Sequence, residues 1–357
     1  MAPSSRSAAP ATPTRAPVRS VGSGAALPLS FDVRTAFDFA LSLAAEVGEQ
    51  DELPAEDRAW LVDARTSLPA VDVRAIDDEL CIFGAGLLVD RPDVTDAAGY
   101  VALLRETSGA EFAGIVLADN LREPGQRDDV AAAGAGDPEA AQRILASWPE
   151  QKHPWLAGLF GDADALIAAV ADRMAAWLPR YQEIEPRVRQ IIERDFALRA
   201  TERATLGHAD LIERTTNGVR WMSEPGVRRV ILAPSYLVRP YNFTFTGGDW
   251  RIFVYPVSDT ALEPHDPLAP PQGVLRLHRT LGDDTRLRIL RLLCDRDWYL
   301  TEIAERLSLS KPTIKHHLAK LRAAGLVTLT EEGGLSYYSL RRERLDDASS
   351  ELKRYLA

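Results

Sequence analysis

The stretch from Leu300 to Leu340 constrains the chain more than any other. It reads as two short helical patterns split by a tight turn, followed by two β-rich runs around paired glycines. Thr301 is placed to cap the first helix, with Glu302 and Glu305 in a first turn where acids suit the helix dipole. Ile303, Ala304 and Leu307 fall on one face. Ser308, Leu309 and Ser310 supply the turn. Ser310 is placed to cap the second helix, and Pro312 falls in its first turn, where a missing N–H costs little. Ile314, Leu318 and Leu321 then follow the i, i+4, i+7 rule and predict an inward stripe. At about 100° per residue, Thr313, His316 and Lys320 gather on the opposite side. Gly325 stops the helix, and Leu326–Thr330 and Leu335–Leu340 form a hairpin through Glu331, Glu332, Gly333 and Gly334.

Helix, turn, helix and hairpin in this order predict a winged helix-turn-helix, whose second helix is the right size for the major groove of DNA. A small helical domain with a solvated polar face would share the basic residues. It would have no need of the caps, the stripe, the glycine stop and the hairpin in sequence. On this reading Ser310, Lys311 and Lys315 hold phosphates at the entry to the groove, while Thr313, His316 and Lys320 face bases or nearby backbone. His317 borders the core, and adjacent helix positions point too far apart for His316 and His317 to serve one metal ion.

Residues from about Leu277 to Leu340 resemble the ArsR-type winged-helix repressors of bacteria. The resemblance is carried by Leu281–Leu290 (LGDDTRLRIL), Leu309–Leu318 (LSKPTIKHHL) and Leu321–Val327 (LRAAGLV), less than a quarter of the chain. It implies a homodimer whose two recognition helices enter successive major grooves of a near-palindromic operator. It also implies that the first and last helices of the domain form much of the dimer interface. The family's thiolate sensors carry paired cysteines in the helix before the recognition helix, here about Trp298 to Ile303, where this chain has none. Its other familiar metal site needs histidines on the final helix, and no His follows the hairpin. Many wings of the family carry Arg or Lys at the tip, whereas this one has Glu331 and Glu332, which repel phosphate. Tyr337, Tyr338 and Arg341 at the base of the hairpin are the candidates for backbone contacts.

The formal charge of −10 over 357 residues looks wrong for such a partner until its distribution is read. From Gly273 onward there are 16 basic against 12 acidic residues, a net of +4, leaving −14 on the remainder. The basic excess sits with the DNA-reading segment, and the acidic remainder stays off the phosphates. Two cysteines, Cys81 and Cys294, are too few for a disulfide scaffold. No run is long enough for a membrane span, and the first residues lack a signal peptide's apolar core. A cytoplasmic protein is expected, with no cofactor and no metal.

The rest of the chain predicts a mainly α fold with small β elements. Residues 1–28 read as a disordered tail and 29–258 as a mostly helical N-terminal domain ending in a small sheet. Residues 259–272, with four prolines, read as a linker and 273–357 as the winged helix-turn-helix. Apolar faces predict helices over Phe31–Val47, Ala55–Thr66, Ala97–Arg105, Glu111–Leu121, Ala140–Trp148 and Ala163–Leu178. Pro179 and Pro186 interrupt, so Arg187–Leu206 is expected as a separate helix with Val188, Ile191, Ile192 and Phe196 inward. Glu123 to Glu139 reads as a mobile loop, and Leu80–Gly86 as a weak echo of a strand running into a phosphate turn. Arg228–Leu232, Tyr241–Thr246 and Trp250–Val257 are strand-like, with a turn at Gly247, Gly248 and Asp249. The expected function is a dimeric, sequence-specific transcription regulator and not an enzyme, with double-stranded DNA and itself as partners and a small organic effector as a candidate ligand. The rivals are an enzyme that autoregulates its own gene, for which His208, Asp210 and Cys81 offer no ordered site, and a protein-interaction adaptor.

Overall fold

The computed structural model describes residues 28–44, 47, 52–69, 78–120, 128–130, 132–133, 137–147, 155–224, 226–262, 268, 270–332 and 335–357. The expected tail lies outside them apart from Pro28, as does Trp148. The N-terminal body comprises β1 (Leu29–Phe31), α1 (Thr35–Leu41), α2 (Ala55–Thr66), α3 (Asp78–Phe83), α4 (Ala97–Glu106), α5 (Gly109–Asn120) and α6 (Pro138–Ser147). It continues with α7 (Leu156–Gly161), α8 (Ala163–Gln182), α9 (Glu185–Arg203), α10 (His208–Thr215) and strands β2 (Val219–Trp221), β3 (Arg229–Ser235), β4 (Phe243–Thr246) and β5 (Trp250–Pro256).

Its sheet has the order β1-β3-β5-β4, with β1, β3 and β5 parallel and the β4–β5 hairpin antiparallel. Alternation along β3 sends Ile231 and Ala233 into the large helical core and Val230 and Leu232 into a smaller cluster on the other face. β5 does the same with Ile252 and Val254 against Phe253 and Tyr255. The sheet is therefore buried on both faces, which is why its central strands read as almost unbroken apolar runs.

Several expectations are corrected. Leu29–Phe31 is a strand that joins the sheet built from residues 229–256, and the first helix begins only at Thr35. Leu80–Phe83 is helical and residues 84–90 form a 3₁₀ turn, so the strand-and-phosphate-turn pattern is absent there. Pro138 opens α6 inside the expected loop, and residues 128–130 and 132–133 are helical too. α8 runs through Pro179 to Gln182. Trp177 and Tyr181, both fully buried, anchor that last turn by donating to Ser42 Oγ (2.7 Å) and Asp38 (2.8 Å), and this tertiary hold outweighs one lost helical hydrogen bond. Phe196 is 37% exposed at the edge of the α9 stripe, meeting Phe31 edge-on at 5.5 Å. The inward positions of that helix also include Asp195 and Arg199. Asp195 accepts from Tyr255 Oη (2.9 Å) and the Ser258 N–H (2.7 Å), which satisfies its burial.

The C-terminal unit comprises α11 (Gln272–Leu281), α12 (Asp284–Leu293), β6 (Trp298–Tyr299), α13 (Leu300–Leu307), α14 (Lys311–Ala323), β7 (Val327–Glu332), β8 (Leu335–Leu340) and α15 (Arg342–Leu356). Leu277, Ile289, Leu293, Ile303, Ile314, Leu318 and Leu321 form its separate core. The expected linker is not simply a tether. Asp259 begins a short 3₁₀ turn and accepts from Arg239 of the body and Arg276 of α11 (3.1 Å), while Arg276 also bonds Glu52 (2.6 Å). Residues 263–267 and 269 lie outside the description.

Candidate nucleic-acid interface

α13 starts two residues earlier than expected. Tyr299, not Thr301, is its N-cap, and the Glu302 carboxylate accepts the Tyr299 N–H at 3.0 Å. Arg296 bonds both oxygens of Glu302, holding its carboxyl below the ordinary range, and lies 3.7 Å over the Trp298 ring. Ser308 takes a left-handed conformation (φ 55°) to turn the chain into α14. Ser310 caps α14, its Oγ accepting from the Thr313 N–H (3.3 Å) and lying 2.7 Å from Thr313 Oγ1. The two hydroxyls named for DNA thus already share a hydrogen bond at the helix entrance.

Below them Ile314, Leu318 and Leu321 are fully buried, while Lys311, Thr313, Lys315 and His316 are exposed and Lys320 is half-buried. The stripe and the polar face separate as a 3.6-residue period demands. His317 borders the core, its Nδ1 3.7 Å from Asp283. Burial pushes its pKa below the ordinary value despite that carboxylate. At the far end Gly325 (φ 75°) stops the helix, with the Leu326 N–H bonded to Leu321 O at 2.9 Å.

The expected hairpin follows as β7–β8, with Leu329 opposite Tyr338 and Thr330 opposite Tyr337. The side chains of Glu331 and Glu332 lie outside the described set. Tyr337 is half-buried and packs edge-on against Tyr299 at 6.0 Å. Tyr338 is only 6% exposed, inside the core of the unit, because inward and outward positions alternate along β8 and it faces Leu329 and Trp298. Arg341 turns to the body and lies 3.9 Å from Glu213 of α10. The structure therefore leaves Ser310, Lys311, Thr313, Lys315 and His316 exposed over the entrance half of α14, with Lys320 half-buried further along the helix and Tyr337 on the sheet. It does not place Tyr338 or Arg341 with them.

The sheet beneath the hairpin holds a strand that the sequence reading missed. Its order is β2-β7-β8-β6, and β2 comes from the body. Val219, Arg220 and Trp221 alternate apolar and polar after Asn217-Gly218, but three residues give too short a pattern to stand out.

A sequence profile described as "Bacterial regulatory protein, arsR family" matches residues 283–328. The HTH-type transcriptional regulator CmtR of Mycobacterium bovis is 42% identical over 80 residues, 22% of this chain and 68% of that protein. The chain belongs to the ArsR family. Within that family KmtR of Mycobacterium tuberculosis is 38% identical over 82 residues, 22% of this chain and 63% of its own length. The transcriptional repressor SdpR of Bacillus subtilis is 39% identical over 70 residues, 20% of this chain and 78% of its own. The chain thus spans about two thirds of the length of the first two relatives, and the likeness lies in its C-terminal region. Among solved structures, reduced HlyU from Vibrio cholerae is 29% identical over 24% of this chain and 90% of its own, with a TM-score of 0.20. Among the described residues of this ArsR-family chain, no helix is long and apolar enough to cross a membrane.

Proposed function

We propose that the protein is a cytoplasmic, sequence-specific DNA-binding transcription regulator, a repressor, that uses α14 as its recognition helix. The observation that carries this reading is the open polar face of α14, set on a fully buried stripe and capped at its entrance by Ser310. Lys311 and Lys315 hold phosphates with the Ser310 hydroxyl, Thr313 and His316 meet base edges, and Lys320 and Tyr337 support the backbone.

The regulator acts as a homodimer on a near-palindromic operator. α11 and α15 pack against each other, and α15 leaves Leu345 (36%), Tyr355 (37%) and Leu356 (72%) exposed. Exposed apolar side chains on a terminal helix favour a partner surface. A cleft of about 1260 Å³ separates the body from α15, lined among others by Arg199, Glu202, Val257, Arg344 and Tyr355. A cleft between two units is the customary place for a small molecule, and it supports an organic effector as the controlling ligand.

The test is a mobility-shift titration on the promoter of the protein's own gene at rising salt. Log affinity falls linearly with log salt, and Lys311→Ala reduces the slope by about 1 without changing sequence preference. Affinity that ignores salt overturns the reading.

A further inference from the structure

The wing's sheet is completed by a strand that belongs to another part of the molecule. β2 runs parallel to β7 with Val219, Arg220 and Trp221 opposite Leu329, Thr330 and Glu331, and the Leu329 N–H donates to Gly218 O at 2.8 Å. Its side chains go the other way. Val219 is buried in the body's smaller core with Leu211, Val227 and Phe253, and the half-buried Trp221 packs against it. The body therefore holds β2 by its side chains, and the wing holds it by its main chain.

Two further contacts flank the strand. Arg322, in the last turn of α14, donates to Thr216 O at 3.3 Å, and Arg341 lies 3.9 Å from Glu213. The chain enters β2 through Asn217 (φ 53°) and Gly218 (φ 107°), and a Cβ at 218 would lie 2.9 Å from Val327 O. Only glycine permits this approach. β8 pairs β7 along one edge over six residues, β6 adds just two residues beyond β8, and β2 closes the other edge of β7 over three.

We propose that the N-terminal body is a working part of the DNA-reading head: β2 clasps the wing, and with Arg322 the end of α14, at the angle that DNA binding uses. The inference rests on the DNA-binding reading above. With the clasp formed, Lys311, Thr313, Lys315 and His316 remain exposed, so it positions the reading face without covering it. Any change within the body that displaces β2 then reaches the DNA through this strand.

The test uses the full chain and duplex DNA from its own promoter. Gly218→Ala is expected to speed hydrogen exchange at the Leu329 amide and to weaken DNA binding about tenfold. A second variant, Arg220→Cys with Thr330→Cys in a Cys294→Ser background, places thiols on directly opposed residues of neighbouring strands, whose spacing of about 4.8 Å suits a disulfide. Once oxidised it should bind DNA within about twofold of its reduced form, and oxidation should restore affinity lost to Gly218→Ala. Weaker binding on oxidation, reversed by reduction, would show that the clasp opens to bind DNA and overturn the proposal. Faster Leu329 exchange with unchanged DNA affinity would overturn it too. Absence of DNA binding by the unsubstituted protein sinks the underlying reading instead, and Leu329 exchange still reports on the strand pairing.

Discussion

Replacing Asp259 by Asn probes how firmly the body and the DNA-reading unit are joined. The carboxylate sits between Arg239 and Arg276, one from each side of the junction. Burial works against its charge, but the two guanidinium groups outweigh that and hold its pKa at about 2, against an ordinary 3.8. The difference corresponds to about 2 kcal/mol of folding stability. The folded state releases this proton more readily than the unfolded chain, so the contribution is complete at pH 7 and is lost as pH falls through about 4 towards 2. Asp259→Asn also leaves the buried Arg239 short of a counter-charge, so a loss of about 2–4 kcal/mol is expected at pH 7. At pH 3 the loss should shrink by about 1 kcal/mol, because the native carboxylate has then surrendered about half of its advantage. Urea unfolding followed by tryptophan fluorescence at both pH values measures this. Equal losses at the two pH values, or none at pH 7, would refute the reasoning.

Two more outcomes follow from the C-terminal unit. Ile314→Ala empties a fully buried position and should cost about 2–5 kcal/mol, whereas Leu309→Ala at the exposed turn should cost under about 0.5, both read by chemical denaturation. His317 is held neutral by burial, so the unfolded chain takes up its proton first and stability is lost as pH falls below about 6.5. His317→Gln should flatten the stability profile between pH 7 and 5.5, and an unchanged slope would show that this side chain is not the source.

The C-terminal unit was legible because local chemistry dictates it. Ser310, Pro312, the Ile314–Leu318–Leu321 stripe and Gly325 each act within a turn or two, and the structure places each as the pattern predicts. Tyr338 and Arg341 were misread because hairpin register and the neighbouring body decide their surroundings, and neither is a local property. The same limit explains β1 and β2. Three residues carry no usable period, and each strand is made by a partner about 200 or about 110 positions away in the chain. Pro179 misled for the opposite reason, since a strong local breaker was overruled by Trp177 and Tyr181 anchored on Ser42 and Asp38.

Substituting the outward side chains of α14 while sparing its stripe asks whether this face reads DNA. A His316→Ala, Lys320→Ala double variant should keep its thermal stability and lose about tenfold or more in affinity for operator DNA, since a base contact such as that of His316 is worth about 1–3 kcal/mol and the Lys320 backbone contact adds to it. Affinity and sequence preference equal to those of the unsubstituted protein would contradict the assignment of this face to DNA.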